Sequence, residues 1–348
     1  MTIPSVYITG IGSKLGSTEI SLRDIARRFR LTAAQLKKLQ RKCGPTRLHK
    51  CADDEHIEDC AVQACRVALH NAGLAPQQVT GIFASTGGPV SEFVLPDFPR
   101  SIALKMGLGD VDTVGMSMGC VGGLDCMLAA YHRLVVDRLK GRTSHYLVVC
   151  GDQAGLTHSD MDRSTAFLFS EGMACFVLSN EAHVGYRIDE INCVSAEGDP
   201  FVMSLRNAHI EPQAKFDMQG EAVYDFAIKK ALPRLPGVLG LDAIPRDTYC
   251  IFHQASLSIL KQMALQADLD RDLMYYDGVR EIGNTSGASV MFGLEDAIQK
   301  GYTQQAGRVM LGAFGVGLKV GAMLLSPVGD PTEITSKAYR PEAEAVAV

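Results

Sequence analysis

The sequence contains one cysteine whose surroundings fit a nucleophile. Cys120 lies in GMSMGCVGGLDCML, between an apolar run that is predicted as a buried strand and a run with helical spacing. The first backbone N–H groups of a helix have no intrahelical partner, and the helix dipole adds partial positive charge there. Both effects stabilise a thiolate, so we expect a lowered pKa and a nucleophilic sulfur at Cys120. The flanking glycines would let the backbone approach a bound acyl group. Taken alone, this segment favours a buried structural cysteine, which is common in an apolar helix.

A thiolate that takes up an acyl group also needs a proton acceptor and donors for developing negative charge. His253, in IFHQAS, follows a predicted strand, at the carboxyl edge where ligands gather in open α/β sheets. Asn284, in GNTSGAS, lies in a glycine-bounded turn before a predicted helix, where its amide could donate to a substrate oxygen. A structural histidine and a turn-forming asparagine remain the alternatives. The residues are far apart in sequence, so only the fold could bring them together.

Short apolar runs alternate with helical patterns in the first half of the chain. The strand-like runs are nearly continuous in apolar character, which is typical of buried parallel strands. They cover 5–11, 81–86, 112–118, 145–150 and 174–179. Helices are predicted over 56–73, where Gly73 ends the helix, and over 122–140, which carries an amphipathic stripe.

The second half repeats this order of elements. Strands are predicted over 185–198, 247–252, 308–314 and 318–326, and helices over 256–267, 287–301 and from Gly220 to a break near Pro233. The repetition predicts a duplicated α/β architecture with an N-terminal half, 1–182, that carries the nucleophile. The C-terminal half, 183–348, would carry His253 and Asn284.

Charge excludes some classes of partner. A net charge of −5 over 348 residues gives no general electrostatic basis for binding nucleic acid or an anionic membrane. Lys and Arg are concentrated only between positions 23 and 50. That segment is either a solvated helix face or a docking face for a phosphate-bearing acyl carrier.

The cysteine content points to a reducing compartment. The chain has ten cysteines and no secretory signature at its start, and no apolar run is long enough to cross a bilayer, so we expect a cytoplasmic protein with mostly free thiols. There is no CxxC, and the cysteines at 43, 51, 60 and 65 lack the histidine pairing of a zinc site. We therefore expect no bound metal.

Four motifs, taken together and in order, resemble those of the β-ketoacyl-acyl-carrier-protein synthase III family of the thiolase superfamily. They are VGMSMGCVGGLDCML, IFHQASL, GNTSGASV and AFGVGL, and the resemblance extends from about residue 3 to residue 326. It implies a thiolase-like α/β fold of five layers, αβαβα, with two similar halves, and a homodimer.

The resemblance also implies a reaction. Cys120 would accept an acyl group from a thioester, and decarboxylative Claisen condensation with a malonyl thioester would give a 3-oxoacyl thioester, in fatty acid or polyketide biosynthesis. His253 and Asn284 would donate hydrogen bonds to the malonyl thioester carbonyl. Backbone N–H groups of Cys120 and Gly315 would form the oxyanion hole. Acyl-coenzyme A and acyl carrier protein are the implied partners, as substrates, and no resident cofactor is implied.

Further positions are expected to bind substrate. The resemblance implies this for Lys42, Ser256 and Phe314, and Phe93 is expected either in the acyl pocket or at the dimer face. Ser256 replaces the Asn of the family's usual HQAN motif, and the chain has no Trp to stack on an adenine. These departures favour a specialised member in secondary metabolism. Two alternatives stay open: acyl transfer to a hydroxyl or amine with His253 as general base, and an inactive partner in a ketosynthase heterodimer.

Overall fold

The computed structural model describes residues 3–88, 90, 97–156, 162–163, 165–199, 203–205 and 216–335. Its strands follow most of the predicted apolar runs. They are Tyr7–Leu15 (β1), Thr18–Ser21 (β2), Arg47–Lys50 (β3), Gly81–Ser85 (β4), Asp112–Met116 (β5), His145–Asp152 (β6), Gly172–Ser179 (β7), Gly185–Ser195 (β8), Met203–Leu205 (β9), Phe216–Met218 (β10), Thr248–Phe252 (β11), Arg308–Gly315 (β12) and Lys319–Val328 (β13).

The helices include the two long ones that were predicted in the first half. They are Leu22–Arg28 (α1), Ala33–Cys43 (α2), Ile57–Ala72 (α3), Phe98–Lys105 (α4), Gly122–Leu139 (α5), Gly220–Asp225 (α6), Leu232–Val238 (α7), Leu257–Gln266 (α8) and Ser289–Gln299 (α9). Helix α3 ends as predicted, because Gly73 adopts the left-handed conformation that closes a helix. The hairpin of β2 and β3 and the helix α4 were not predicted.

Within the described residues, nine strands form one sheet in the order β11-β12-β13-β8-β1-β7-β6-β4-β5. Strand β1 pairs with β7 along its length but with β8 only at Tyr7 and Ile8. This short pairing joins a five-strand part to a four-strand part. Strand β4 is parallel to β5 and β6, and β11 is parallel to β12, whereas the other neighbours are antiparallel.

The sheet is therefore mixed, and the expectation of parallel strands is wrong for β7. Every residue of β7 is buried, yet both of its partners, β1 and β6, run antiparallel to it. Helices that cover both faces of a sheet bury a strand whichever direction its neighbours take. A continuous apolar run reports that coverage rather than strand direction.

Alternating side chains place helices on both faces of each part of the sheet. In β6, Leu147 and Val149 pack in the same cluster as residues of α3 and α4, whereas Val148 faces α5 and α9. In β13, Met323 faces α5 and α9, and Leu324 packs with α7 and α8. The layers are thus outer helices, sheet, central helices, sheet and outer helices, which confirms the predicted five-layer fold class. The proposed division at 182/183 falls between β7 and β8 and remains a prediction.

The helical segment from Gly220 does not break at Pro233. It continues through a wide turn with π-helical hydrogen bonding over Phe226–Ala231 into α7, which contains Pro233 in its first turn. The N–H of Leu232 bonds to the carbonyl of Ala227, five residues back. A wide turn relieves the crowding that a proline ring causes in a regular helix, so the helix continues past the proline. Among the described helices, none is long and apolar enough to cross a membrane.

Candidate active site

Cys120 lies at the junction that the sequence predicts. Strand β5 ends at Met116, a short 3₁₀ turn covers Gly119–Val121, and α5 begins at Gly122. A Cβ atom at Gly122 would lie 2.1 Å from the Ser85 hydroxyl oxygen, so this position has no room for a side chain. Strand β5 itself is an edge strand and only half-buried, which differs from the buried strand that its apolar sequence predicts.

The predicted lowering of the Cys120 pKa is wrong for this structure. Burial raises the pKa of the Cys120 thiol to about 11, and the charge of Asp152 adds to that rise. Hydrogen bonds from the backbone N–H groups of Val316 and of Cys120 itself act in the predicted direction but are outweighed. The side chain is only 9% exposed, so the loss of hydration decides the sign.

His253 follows β11 and is held from both sides. Its backbone N–H donates to the carbonyl of Gly312 in β12 at 2.7 Å, and its Nδ1 lies 2.6 Å from the Ser289 hydroxyl on α9. The N–H of Gln254 donates to that same hydroxyl oxygen at 3.3 Å. In the tautomer in which the Ser289 hydroxyl donates to Nδ1, the imidazole proton lies on Nε2. Burial lowers the pKa of His253 to about 4, so the ring is neutral near neutral pH.

Asn284 is fixed through its backbone and its side-chain oxygen. Its N–H donates to Leu168 and its carbonyl accepts from Ser170, both at 2.9 Å. The N–H of Ser286 donates to Asn284 Oδ1 at 2.8 Å. With Oδ1 engaged, the Nδ2 group is the part of the amide left to act as a donor.

One cavity of about 600 Å³ brings the predicted residues together. Its lining includes Cys120, His253, Asn284, Phe314, Gly315, Ser256 and Lys42. Its apolar wall comes from several elements, with Leu168, Phe169, Met203, Phe216, Met218 and Val223. Phe93 lies outside the described residues. An apolar cavity with a few convergent polar groups is the usual form of a small-molecule site.

The outer part of the cavity carries charged and hydroxyl side chains. Lys42, near the end of α2, and Arg163 are exposed and line the cavity together with Glu221. Ser256 also lines it, and its hydroxyl caps α8 by accepting the N–H of Ile259 at 3.3 Å. The cap gives Ser256 a structural role in addition to its place in the lining.

Gly315 lies directly against the nucleophile. A Cβ atom at this position would be 2.7 Å from the Cys120 Cβ and 2.8 Å from its Sγ. Any larger residue would push into the sulfur. The Val316 N–H, one residue on, already hydrogen-bonds the Cys120 sulfur. The backbone that follows β12 therefore presents the Val316 N–H to the sulfur.

Sequence reasoning missed two supporting residues, Asp152 and Ser289. The Asp152 carboxylate accepts a hydrogen bond from the N–H of Gly87 and interacts with the Ser286 hydroxyl. The N–H of Ser286 in turn donates to Asn284 Oδ1, so Asp152 supports the asparagine indirectly. Burial raises the pKa of Asp152 to about 6. The position of Asp152 at the carboxyl end of β6, next to parallel strand β4, was a usable signal. Ser289 gave no signal, because a serine at the start of a helix is common.

A buried ion pair connects the two segments that flank the sulfur. Lys319 Nζ lies 2.6 Å and 2.7 Å from the two carboxylate oxygens of Asp125. Asp125 is in the first turn of α5, and Lys319 begins β13, just after the turn that follows Gly315. The side chains are 8% and 19% exposed. The pair therefore fixes the nucleophile's helix to the strand turn that faces it.

The chain was compared with family models, with known proteins and with solved structures, and the three results agree with one another. Residues 246–326 match the family model described as 3-oxoacyl-[acyl-carrier-protein (ACP)] synthase III C terminal. The chain is 26% identical over 282 residues to a beta-ketoacyl-[acyl-carrier-protein] synthase III of Streptococcus pyogenes serotype M5, a match that covers 78% of this chain and 85% of that relative.

Solved structures give the same result. The 3-oxoacyl-(acyl carrier protein) synthase III, FabH, from Pseudomonas aeruginosa PAO1 superposes with a TM-score of 0.81 at 25% identity, over 92% of this chain and 98% of that one. The priming beta-ketosynthase from the R1128 polyketide biosynthetic pathway superposes with a TM-score of 0.80 at 22% identity, over 95% and 99% of the two chains. This last likeness concerns the fold.

Proposed function

We propose a reaction for this chain from the premise that it belongs to the 3-oxoacyl-[acyl-carrier-protein] synthase III family of the thiolase superfamily. The chain is a condensing transferase, and its reaction joins an acyl group to a malonyl-derived unit in fatty acid or polyketide biosynthesis. Cys120 is the acyl acceptor, and His253 and Asn284 act on the malonyl thioester.

In the first step, the Cys120 sulfur attacks the carbonyl carbon of an acyl thioester. A carbon–sulfur bond forms, and the carbonyl oxygen becomes an oxyanion that the N–H groups of Cys120 and Gly315 stabilise. The donor's carbon–sulfur bond then breaks, and the departing thiolate takes up the proton that Cys120 lost. The product is an acyl-enzyme thioester and a free thiol.

In the second step, the malonyl thioester loses carbon dioxide. The electron pair of the breaking carbon–carbon bond moves to the thioester oxygen, giving an enolate. His253 Nε2–H and Asn284 Nδ2–H donate hydrogen bonds to that oxygen, a kind of stabilisation worth about 3 kcal/mol for each donor. The enolate carbon attacks the acyl-enzyme carbonyl, and the Cys120 thiolate leaves and is protonated. The product is a 3-oxoacyl thioester.

The observation that carries this proposal is a neutral histidine beside the asparagine and the thiol in one cavity. The low pKa of His253 keeps the ring neutral over the physiological range, and we assign its one proton to Nε2, the nitrogen that would donate to the substrate. A ring with so low a pKa is a poor general base, which disfavours the transfer of an acyl group to a hydroxyl or amine. The complete set of three groups likewise disfavours an inactive partner subunit.

The substrates enter past Lys42 and Arg163, whose charges suit the phosphates of coenzyme A or of a carrier-protein prosthetic group. The charge stabilisation in both steps comes from protein groups, so we propose that no resident cofactor takes part. We propose a homodimer in the cytoplasm. The missing Trp and the HQAS motif favour a role in secondary metabolism.

Intact-protein mass spectrometry tests the roles of the three residues. After exposure to acyl thioesters, wild-type protein gains one acyl group, and Cys120→Ala gains none. His253→Ala and Asn284→Ala keep self-acylation, but each loses malonyl decarboxylation by about 10² to 10³-fold, because each removes one donor to the enolate oxygen.

A control separates chemistry from folding. Gly220 also lines the cavity, and no atom lies within 4 Å of a Cβ placed there, so Gly220→Ala retains both half-reactions. If all three substitutions abolish self-acylation to the same degree, the division of labour between the thiol and the two donors is wrong.

A further inference from the structure

A second cluster of reactive side chains lies outside the cavity. Cys51 follows β3 directly, Cys60 is in the first turn of α3, and Glu55 lies in the connection between them. The two sulfur atoms and a carboxylate oxygen of Glu55 all lie within 4.8 Å of one another. None of the three residues lines the active-site cavity.

The spacing of these atoms matches that of zinc ligands. Bonds of about 2.3 Å to sulfur and about 2.0 Å to oxygen at tetrahedral angles separate a sulfur from an oxygen by about 3.5 Å. The observed distance from Cys60 Sγ to Glu55 Oε1 is 3.5 Å. A small ion could therefore enter without a large rearrangement.

The ligand atoms are held in place by the surrounding backbone. Glu55 Oε2 accepts the N–H groups of Ser17 at 2.8 Å and Ala52 at 3.2 Å, which leaves Oε1 beside the sulfur. The Cys51 N–H donates to Glu171 at 2.8 Å. Such outer contacts orient the ligands of real metal sites.

The local charge favours a cation. The carboxylates of Glu55 and Glu171 contact this cluster, the first through the Cys60 thiol and the second through the Cys51 N–H. A bound cation would lie beside these negative charges and would stabilise the two thiolates directly. Lys50 pairs with Glu171 at 3.2 Å, and Lys14 lies 3.8 Å from Glu55 Oε1, so these ammonium groups offset part of the negative charge.

We propose that Cys51, Glu55 and Cys60 bind a Zn²⁺ ion, with water in the fourth position, and that the ion holds the start of α3 against the end of β3. Binding converts two thiols to thiolates and releases two protons to solvent. Cys60 is buried and Cys51 is half-exposed, so the ion enters and leaves on the Cys51 side. This site was not predicted from the sequence, because the site contains no histidine and its spacing, C-x₃-E-x₄-C, is unusual for zinc.

Zinc titration against a chromophoric chelator tests the proposal, in a Cys120→Ser background so that the nucleophile cannot bind the metal. We expect one Zn²⁺ per chain, lost in Cys51→Ser and in Cys60→Ser, and bound at least tenfold more weakly in Glu55→Gln. Cobalt in place of zinc gives a thiolate charge-transfer band in the parent and none in Cys51→Ser.

Cys193→Ser is the matched control. This half-buried thiol also lies beside a carboxylate, that of Asp125, and near a second thiol, that of Cys126. The Asp125 carboxylate is already paired with Lys319, so it is not available to a metal ion. Zinc binding is unchanged in this variant. If Cys60→Ser does not fold, Cys51→Ser still tests zinc binding, because the half-exposed Cys51 side chain tolerates substitution better than a buried one.

Three results would overturn the site. One is a parent protein that binds no zinc, and another is full zinc stoichiometry in Cys51→Ser. The third is a disulfide between Cys51 and Cys60 that forms during purification under mild conditions and that added zinc does not prevent.

Discussion

At the scale of single residues, burial decides the ionisation of the nucleophile. The start of a helix stabilises a negative charge by about 0.3–1 kcal/mol when that charge is exposed to solvent. The rise in the Cys120 pKa from 9.0 to about 11 corresponds to about 3 kcal/mol in the opposite direction. The raised pKa therefore favours a thiol in the free enzyme at neutral pH.

The reactivity of Cys120 follows from this pKa. Alkylation of Cys120 by iodoacetamide, followed by peptide mass spectrometry, should accelerate about tenfold for each pH unit above about pH 7, because the thiolate fraction rises in that proportion below the pKa. The rate should level off only near pH 11. A plateau already reached near neutral pH would contradict a buried neutral thiol and would indicate a thiolate–imidazolium pair.

The sequence identified the residues of the candidate site but did not predict their ionisation. Cys120, His253, Asn284 and Gly315 meet in one cavity, as their motifs indicated. The sign of the Cys120 shift was predicted incorrectly, because it depends on how much water the rest of the fold removes from the sulfur. Local sequence carries no measure of that.

At the scale of elements, the ion pair of Lys319 and Asp125 joins β13 to α5. Burying two charges costs hydration, and the pair offsets that cost only while both partners are present. The partner of Lys319 therefore lies in the nucleophile's helix.

Removing one member of the pair should be much more costly than removing both. We expect Lys319→Met to lower the free energy of unfolding by about 3 kcal/mol, because it leaves a buried carboxylate without a partner. The double variant Lys319→Met, Asp125→Leu should recover most of that loss. Urea denaturation of the three proteins measures both effects.

An exposed pair supplies the control. Arg27 and Asp24 are 80% and 60% exposed and 2.8 Å apart, so Arg27→Met should cost less than about 1 kcal/mol. If Lys319→Met costs no more than this variant, the buried pair does not stabilise the junction.

Element boundaries were predicted where the local signal was strong. Helix α3 begins and ends close to the predicted limits because Gly73 closes it, and the apolar run of β6 marks that strand. The continuation through Pro233 depends on the wide turn upstream, a feature that a regular helical pattern does not contain. The direction of β7 depends on which strands lie beside it, and these come from distant parts of the chain.

At the scale of the whole molecule, the two ends of the nine-stranded sheet differ. At one end, all residues of β11 are buried, and Cys250 forms a further bridge with Met274. At the other end, β5 is half-buried, Gly115 is exposed, and β4 is its partner in the described sheet. Unpaired strand edges favour association, so β5 is the edge at which the proposed homodimer would pair.

The proposed homodimer predicts a definite mass. Light scattering on a size-exclusion column should give about 75 kDa, twice the 37.5 kDa of one chain. High salt should not change that mass, because strand pairing depends on backbone hydrogen bonds rather than on exposed charges. A fully active protein with the mass of one chain would contradict the homodimer.

The five-layer architecture could be predicted from two similar halves and four ordered motifs. The cavity could not, because its apolar wall combines Leu168, Met203, Phe216 and Val223 from separate segments. The cluster of Cys51, Glu55 and Cys60 was also missed, since it depends on how β3 and α3 pack rather than on a motif.

The most direct test of the central claim is the fate of the malonyl carboxylate. Enzyme acylated on Cys120 and freed of excess donor should be mixed with a malonyl thioester labelled in its free carboxylate. The account predicts one labelled carbon dioxide per acyl group consumed, together with an unlabelled 3-oxoacyl thioester. Loss of the acyl group to a hydroxyl or amine, with the label retained in the malonyl thioester, would contradict it.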